Sequence, residues 1–185
     1  AVTNASVNAG VYTLSEVTAA GYAAGSWSCT AGTLSGNQLT LANGQSASCS
    51  ITNDDQAATL TLVKIVSGGP AVAANWTLSA AGPTPLSGAG GVASTSVNAG
   101  VYTLSESGGS TGNTYNAGSW SCTGGTLSGS QLTLVNGQNA TCSITNTFVA
   151  PAVSYSKSTS ATGAVAVGDT ITYTLTTVVA NSGGG

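Results

Sequence analysis

Histidine, arginine and methionine are absent from this 185-residue chain, which contains only two lysines and five acidic residues. The lack of histidine excludes a Ser-His-Asp triad. The lack of a basic patch removes the counterion release that drives binding to a phosphate backbone, so nucleic acid is not expected as a partner. Glu16 and Glu106 occupy the same position in different repeats rather than one paired-carboxylate site. We therefore expect a protein that is not an enzyme and that carries no cofactor.

Long apolar runs are also missing. No segment reaches the roughly 18 apolar residues that a membrane-spanning helix needs, so we expect no membrane insertion in this segment. The first residues do not show the charged and then apolar pattern of an export signal. Because there is no methionine at which translation could start, we expect the chain to be a processed or partial piece of a longer protein.

The four cysteines form two pairs with identical spacing, Cys29 with Cys49 and Cys122 with Cys142. Such pairs in a chain rich in Ser, Thr, Gly, Ala and Val predict two local disulfides made in an oxidising, extracellular compartment. Each disulfide would contribute about 3 kcal/mol in the chain-entropy model. Zinc is the alternative use of four cysteines, but the chain has no Cys-x-x-Cys pair and no histidine, so no metal site is predicted.

An internal repeat organises the chain. The segment from Ser6 to Glu16 recurs from Ser96 to Glu106, and the segment from Gly25 to Cys29 recurs from Gly118 to Cys122. These offsets predict three units: the C-terminal half of a repeat in residues 1–55, a complete repeat in residues 56–148, and the first strands of a further, different domain in residues 149–185.

Short alternating segments bounded by Gly, Asn and Pro are typical of β-strands. About seven such segments occur in the complete repeat, near residues 59–66, 75–80, 92–97, 101–106, 114–122, 131–135 and 139–147. Strands of this length and spacing predict an all-β protein built from tandem antiparallel β-sandwich domains of immunoglobulin-like or prealbumin-like type.

The Asn-Gly pair at positions 136 and 137 is a strong turn signal. A three-residue turn over 136–138 predicts a hairpin in which Leu134 lies opposite Ala140 and Leu132 lies opposite Cys142. In that register the apolar side chains of both strands share one face of the sheet.

Three polar residues share strand parity with apolar neighbours and are therefore predicted to point into the core. These sets are Lys64 with Leu60 and Leu62, Glu106 with Tyr102 and Leu104, and Asn146 with Cys142 and Ile144. Burying an unpaired Lys or Glu costs several kcal/mol, so the arrangement of lowest energy is one in which the three polar side chains meet.

A lysine, an asparagine and a glutamate in an apolar core can form an intramolecular isopeptide bond. Burial favours a neutral, nucleophilic amine and a protonated acid. Lys64 would attack the carboxamide of Asn146, and Glu106 would act as the acid and base that moves the proton to departing ammonia. Two alternatives stay open: a buried triad that does not react, and polar side chains turned to solvent at strand edges and ends.

Residues 101–106, Val-Tyr-Thr-Leu-Ser-Glu, and the longer Tyr12-to-Tyr22 segment resemble the E-box of collagen-adhesin B-type domains, also known as SpaA-like or prealbumin-like domains. Such domains build the shafts of bacterial pili and the stalks of adhesins, and many carry a Lys-to-Asn cross-link catalysed by the E-box glutamate. The resemblance implies these roles for Lys64, Asn146 and Glu106.

The same resemblance carries the acid role to Glu16 and the electrophile role to Asn53 in the half repeat. Residues 167–175 resemble the start of a separate immunoglobulin-like repeat of long bacterial surface proteins. Lys157 follows Asn146 by the same interval at which Lys64 follows Asn53. In the complete repeat Lys64 precedes Glu106 by 42 residues, and joining Gly185 of one copy to Ala1 of the next would place Lys157 44 residues before Glu16. A strand bearing Lys157 could therefore complete the half repeat of the next copy, with a Lys157-to-Asn53 bond. The alternative is that both ends are completed by further repeats of a longer chain.

We expect an extracellular, cell-surface bacterial fibre, either a pilus-like filament or a surface stalk, whose partners are copies of itself or adjacent repeats. The alternative function is an adhesin or glycan-binding module that contacts a host or matrix surface, with Trp76 or loop residues in the binding site. We expect Trp27 and Trp120, each two residues before a cysteine, to pack against the disulfides in the core; the alternative is that they are exposed platforms on which sugars stack.

Overall fold

The computed structural model describes residues 5–109 and 112–180, so the outermost residues of the predicted first and third units lie outside the described ranges. Within these ranges the chain forms nineteen β-strands and one short 3-10 helix, Ala73–Asn75, with no α-helix. None of the helical structure in these ranges is long and apolar enough to cross a bilayer. The prediction of an all-β fold is confirmed.

The first part of the chain forms small antiparallel sheets. Its strands are β1 (Gly10–Thr13), β2 (Tyr22–Ala24), β3 (Ser28–Cys29), β4 (Thr33–Ser35), β5 (Gln38–Leu41), β6 (Cys49–Ser50) and β7 (Asn53–Asp55). They pair in the order β1-β5-β4, with β2 against β7 and β3 against β6.

The middle part forms two larger sheets. Its strands are β8 (Ala58–Ser67), β9 (Trp76–Ala81), β10 (Leu86–Ala89), β11 (Gly91–Val97), β12 (Gly100–Gly108), β13 (Tyr115–Ala117), β14 (Ser121–Thr123), β15 (Thr126–Ser128), β16 (Gln131–Leu134) and β17 (Asn139–Phe148). One sheet has the order β10-β9-β12-β16-β15, and the other has the order β11-β8-β17-β13, with β14 also pairing with β17.

The core lies between these two sheets, and each strand contributes alternate residues to it. The buried cluster contains Ala58, Leu60, Leu62, Leu78, Ala80, Val97, Tyr102, Leu104, Leu132, Leu134, Ala140, Cys142 and Ile144. Trp120 and Cys122 pack against it from the side, as expected for Trp120. The alternation has the period of two that a half-buried strand requires, so parity does select the inward residues.

The first and last strands of the middle part are parallel neighbours. β8 pairs with β17 from Thr59 opposite Asn139 to Ser67 opposite Thr147. Residues directly opposite one another point to the same face, so the inward residues of both strands form one continuous row. This pairing brings residues about 80 positions apart in sequence into contact, and it determines the position of the candidate site.

Both predicted disulfides are present. Cys29 is bonded to Cys49, and Cys122 is bonded to Cys142. Each joins antiparallel neighbours at directly opposed positions, β3 with β6 and β14 with β17.

The predicted hairpin over residues 136–138 is wrong. The turn itself forms, with the Gln138 N–H donating to the Val135 carbonyl and Gly137 at a φ of 71°. However, β16 pairs with β12 and β15 while β17 pairs with β8, β13 and β14. The turn therefore connects the two sheets, because both strands take partners from distant segments. Leu132 and Cys142 contribute to the same core from opposite sheets instead of lying side by side.

The strand prediction also differs from the structure at three places. The predicted strand 114–122 is two short strands, β13 and β14, separated at Gly118, whose N–H donates to Thr145. Strands β10 and β15 were not predicted, because each is a short segment beside glycines with little alternation of its own. Both are outer strands that pair on one side with longer strands, β9 and β16.

The last part of the chain is an antiparallel hairpin of β18 (Ala152–Thr159) and β19 (Tyr173–Ala180). Every residue of both strands is exposed, including apolar residues such as Val153, Leu175 and Val179. Neither face of this hairpin is covered by another part of the described chain.

Candidate functional site

Lys64 and Glu106 form an ion pair inside the sandwich. Lys64 lies on β8, and its side chain is fully buried. Glu106 lies on β12 of the opposite sheet, opposite Leu78 of β9. The Lys64 Nζ donates to Glu106 Oε2 at 2.7 Å, the one salt bridge found among the described residues. The two residues that parity placed in the core therefore do meet, across the gap between the sheets.

Asn146 lies on the strand next to Lys64. In the parallel register Lys64 is opposite Ile144, and Asn146 is opposite Val66, so the two polar residues are diagonal neighbours on one face. Asn146 is 2 % exposed, and its Oδ1 atom has no hydrogen-bond partner among the described residues. A buried carbonyl oxygen without a partner is uncommon and costs free energy. The Asn146 carboxamide is thus available to another donor or to a reaction.

One aromatic ring, that of Trp76, lies beside Lys64, and two further rings pack behind it. The Lys64 Nζ lies 5.0 Å from the centroid of the Trp76 ring, a distance at which a cation and a ring face attract. Trp76 packs edge-on against Tyr115, which in turn contacts Phe148. The Tyr115 hydroxyl accepts from the Ala71 N–H at 2.9 Å and so fixes the loop beyond β8. Because the Lys64 side chain is fully buried, the attraction within the Lys64–Glu106 pair is stronger than it would be in water.

Trp76 is only 4 % exposed, so it is not available as a surface platform for a sugar. Its role beside Lys64 was not recognised from sequence. The signal was present, because Trp76, Leu78 and Ala80 share strand parity and all three are buried. Tyr115 was likewise missed, since it lies on a three-residue strand with no alternation to read.

Glu16 and Asn53 form an equivalent but incomplete pair in residues 5–55. The Asn53 Nδ2 donates to Glu16 Oε2 at 3.2 Å. The second carboxylate oxygen, Glu16 Oε1, and the carboxamide oxygen, Asn53 Oδ1, are buried without a partner in the described chain. No lysine occurs before Lys64 in the sequence. The pair therefore has the acid and the carboxamide of the full site, without the amine.

The surroundings of Lys157 differ from those of Lys64. It is exposed on β18, opposite Leu175 of β19, and its Nζ is 4.2 Å from the centroid of the Tyr173 ring. Salt bridges among the described residues do not include it. The structure thus brings Lys64, Glu106 and Asn146 together in one core, and Glu16 and Asn53 in another place, while Lys157 remains on the surface.

The parallel partner strand also changes the local structure around the asparagine. The sequence Cys-Ser-Ile-Thr-Asn occurs at residues 49–53 and 142–146. In the second copy it lies within one continuous ten-residue strand, β17, which pairs with β8. In the first copy it is divided between β6 and β7, each paired along the described chain on one side only. The half repeat therefore has an open strand edge beside Asn53.

Two long segments of the chain match a known family of domains. Residues 1–51 and 55–144 match a family model described as the SpaA-type prealbumin-like fold domain. No curated protein and no solved structure matched the chain. The match covers both the half repeat and most of the complete repeat, and it confirms the resemblance seen in the E-box residues. This chain belongs to the family of SpaA-type prealbumin-like fold domains.

Proposed function

We propose that this chain is a segment of an extracellular bacterial surface fibre whose complete repeat closes an isopeptide bond between Lys64 and Asn146. Domains of this family are typically surface-exposed modules of bacterial proteins. The observation that carries the proposal is the buried 2.7 Å contact of Lys64 with Glu106, next to an Asn146 carbonyl that has no partner. Two disulfides in the same fold fit a protein that works outside the cell.

The reaction proceeds by proton transfer and acyl substitution. The Lys64 ammonium gives a proton to Glu106 Oε2, and the neutral Nζ attacks the side-chain carbonyl carbon of Asn146. Glu106 then gives this proton to the amide nitrogen, which leaves as ammonia, and the Glu106 carboxylate takes the second proton from Nζ, so that Nζ ends as an amide N–H and Glu106 ends protonated. One C–N bond forms, one C–N bond breaks, and no oxidant or cofactor is needed. Because the reaction consumes its own side chains, it happens once, and the protein is not an enzyme with turnover.

Intact mass tests the bond. After reduction of the disulfides, a wild-type chain that is not joined to another copy should be lighter than its sequence mass by one ammonia, and Glu106→Ala should have its full sequence mass. Asn146→Asp offers a further control: its carboxyl would lose water on linking to Lys64, so the linked product has the same mass as the linked wild type. A wild-type chain at full mass would refute the cross-link.

The second part of the proposal is that copies of the chain assemble head to tail. The Lys157 strand of one copy adds to the open edge of the half repeat of another and bonds to Asn53. Three observations support this assembly. The Glu16–Asn53 pair lacks an amine, Glu16 and Asn53 each have a buried oxygen without a partner among the described residues, and β18 is fully exposed. Denaturing electrophoresis should show covalent oligomers that disappear in Lys157→Met and in Asn53→Ala. A wild type that stays monomeric would contradict this assembly.

Glycan binding is the second candidate function, and one observation indicates where on the chain a glycan would bind. Trp27 is half-buried and lines a shallow depression with Leu34 and Asn37, whereas its counterpart Trp120 packs against the core. A tryptophan beside polar groups can stack on a sugar ring. Saturable binding to a glycan array that is lost in Trp27→Ala and kept in Trp120→Phe would support this function. Absence of glycan binding would contradict this second function and leave the fibre as the one proposed function.

A further inference from the structure

The two repeats contact each other through a small backbone junction. The Gln56 N–H, in the segment between β7 and β8, donates to the Gly21 carbonyl at 2.8 Å. The Gln56 carbonyl in turn accepts from the Gly137 N–H at 2.7 Å. Gly137 belongs to the Asn136-Gly137-Gln138 turn of the complete repeat, while Gly21 precedes β2 of the half repeat. We call this set the inter-repeat junction.

Glycine is required at the centre of the inter-repeat junction. Gly21 has a φ of +80°, and a Cβ atom there would lie 2.3 Å from the Asn136 carbonyl oxygen. Real Cβ atoms do not approach backbone oxygen so closely, so any side chain at position 21 must push the turn away. A Cβ atom at Gly137 would lie 3.2 Å from the Gly21 Cα. Two glycines thus face each other and allow close approach of the two backbones.

The chain contains its own comparison for each half of this contact. The Asn43-Gly44-Gln45 turn has the same side-chain bond as the 136–138 turn, with the glutamine Oε1 accepting at 3.0 Å in both. Gly44 and Gly137 have φ values of 72° and 71°, but a Cβ atom at Gly44 would meet nothing within 4 Å. The turn is therefore formed by its own repeat, and contact with a neighbour is not needed to shape it.

The other half of the contact is replaced at the end of the complete repeat. The Val149 N–H donates to the Thr114 carbonyl at 3.0 Å, in the same way that Gln56 donates to Gly21. Thr114 therefore occupies the position of Gly21, with a side chain where the next turn would have to approach. The segment that follows, residues 152–180, has no Asn-Gly-Gln sequence.

We propose that the inter-repeat junction fixes the orientation of consecutive repeats, and that the residue at the position of Gly21 decides whether the next unit docks. Its binding partner is the Asn-Gly-Gln turn of the following repeat. Glycine at this position gives a stiff connection between residues 5–55 and 58–148, and threonine at the same position gives a free connection to the unit that follows. This proposal is independent of the isopeptide bond.

The test compares the orientation of the two repeats in solution, using the full chain. Residual dipolar couplings measured on wild-type amides should fit one alignment tensor for residues 5–55 and 58–148 together. Gly21→Asn should require two tensors, because asparagine tolerates a positive φ but its side chain collides with Asn136. The matched control is Gly36→Asn: Gly36 has a φ of +59°, and a Cβ atom there meets nothing within 4 Å. This control should keep the common tensor.

A second pair of variants tests the proposal without a substitution at Gly21, which could unfold the half repeat. Gly137→Asn should separate the tensors, whereas Gly44→Asn, in the equivalent open turn, should not. If the amide signals of residues 5–55 lose their dispersion in Gly21→Asn, the half repeat has unfolded in that variant, and the comparison of Gly137→Asn with Gly44→Asn then tests the proposal. A common tensor in folded Gly21→Asn or in Gly137→Asn would overturn the proposal. So would two tensors in the wild type.

Discussion

Replacing Asn146 with alanine removes the electrophile of the proposed cross-link and leaves the Lys64–Glu106 ion pair in place. The buried Asn146 Oδ1 accepts no hydrogen bond from the described residues, so removing this oxygen breaks no hydrogen bond among them. The main loss should therefore be the covalent bond itself. Asn53→Ala is the matched control, because it makes the same change at the equivalent position of a site without an amine.

The size of the effect follows from loop closure. A bond between positions 64 and 146 closes a loop of about 80 residues, which is worth about 4.5 kcal/mol in the chain-entropy model. The disulfide between Cys122 and Cys142 shortens the effective loop to roughly 60 residues, which changes the estimate by only a few tenths of a kcal/mol. For a domain of this size, such a difference corresponds to a fall of roughly 20–35 °C in Tm.

Guanidinium unfolding followed by tryptophan fluorescence measures this difference, since Trp76 lies beside Lys64. The free energy of unfolding of Asn146→Ala should fall by about 4.5 kcal/mol relative to the wild type, and that of the 58–148 unit in Asn53→Ala should not change. The m value of Asn146→Ala should rise, because the unlinked unfolded chain exposes more surface. Equal stability of Asn146→Ala and a wild type shown by mass to be linked would refute the loop-closure reasoning.

Three further changes test other parts of the site and core by urea unfolding. Glu106→Gln leaves the buried Lys64 ammonium without a counter-charge and should cost about 3–5 kcal/mol relative to another unlinked variant, whereas adding Lys64→Met should recover most of it; no recovery would contradict the buried pair. Changing both Cys122 and Cys142 to serine should cost about 3 kcal/mol, and a cost near zero would show that the disulfide does not restrict the unfolded chain. Tyr102→Phe should cost roughly 1–2 kcal/mol, because the fully buried hydroxyl bonds two backbone groups of the preceding loops; a neutral change would mean that water replaces it.

Much of the site was predictable because strand parity and the internal repeat are both properties of the sequence. Parity placed Lys64, Glu106 and Asn146 on inward faces, and the cost of burying unpaired charge predicted that they meet. The structure confirms the burial of Lys64 and Asn146 and the contact of Lys64 with Glu106. The disulfides were predictable for the same reason, since identical spacing in two repeats marks local pairs.

The strand partners were not predictable from local signals. The Asn-Gly pair at positions 136 and 137 encodes a turn, but a turn does not determine whether its flanking strands pair with each other. That choice depends on β8, which competes for β17 from about 80 residues away. Trp76 was missed for a related reason. Its neighbours are Lys64 and Tyr115, and both contacts depend on how strands from different parts of the repeat pack together.

The parallel pairing of β8 with β17 determines how the complete repeat responds to stretching. Tension along the chain enters at Ala58, at the start of β8, and leaves at Phe148, at the end of β17. Because the strands run in the same direction, these two points lie at opposite ends of the pair, and pulling loads the strands in shear. The nine registered positions between them must then fail together rather than one after another. In an unlinked chain the intervening segment, from Gly68 to Gln138, does not extend until that pair has separated, and the proposed Lys64–Asn146 bond would keep it from extending at all.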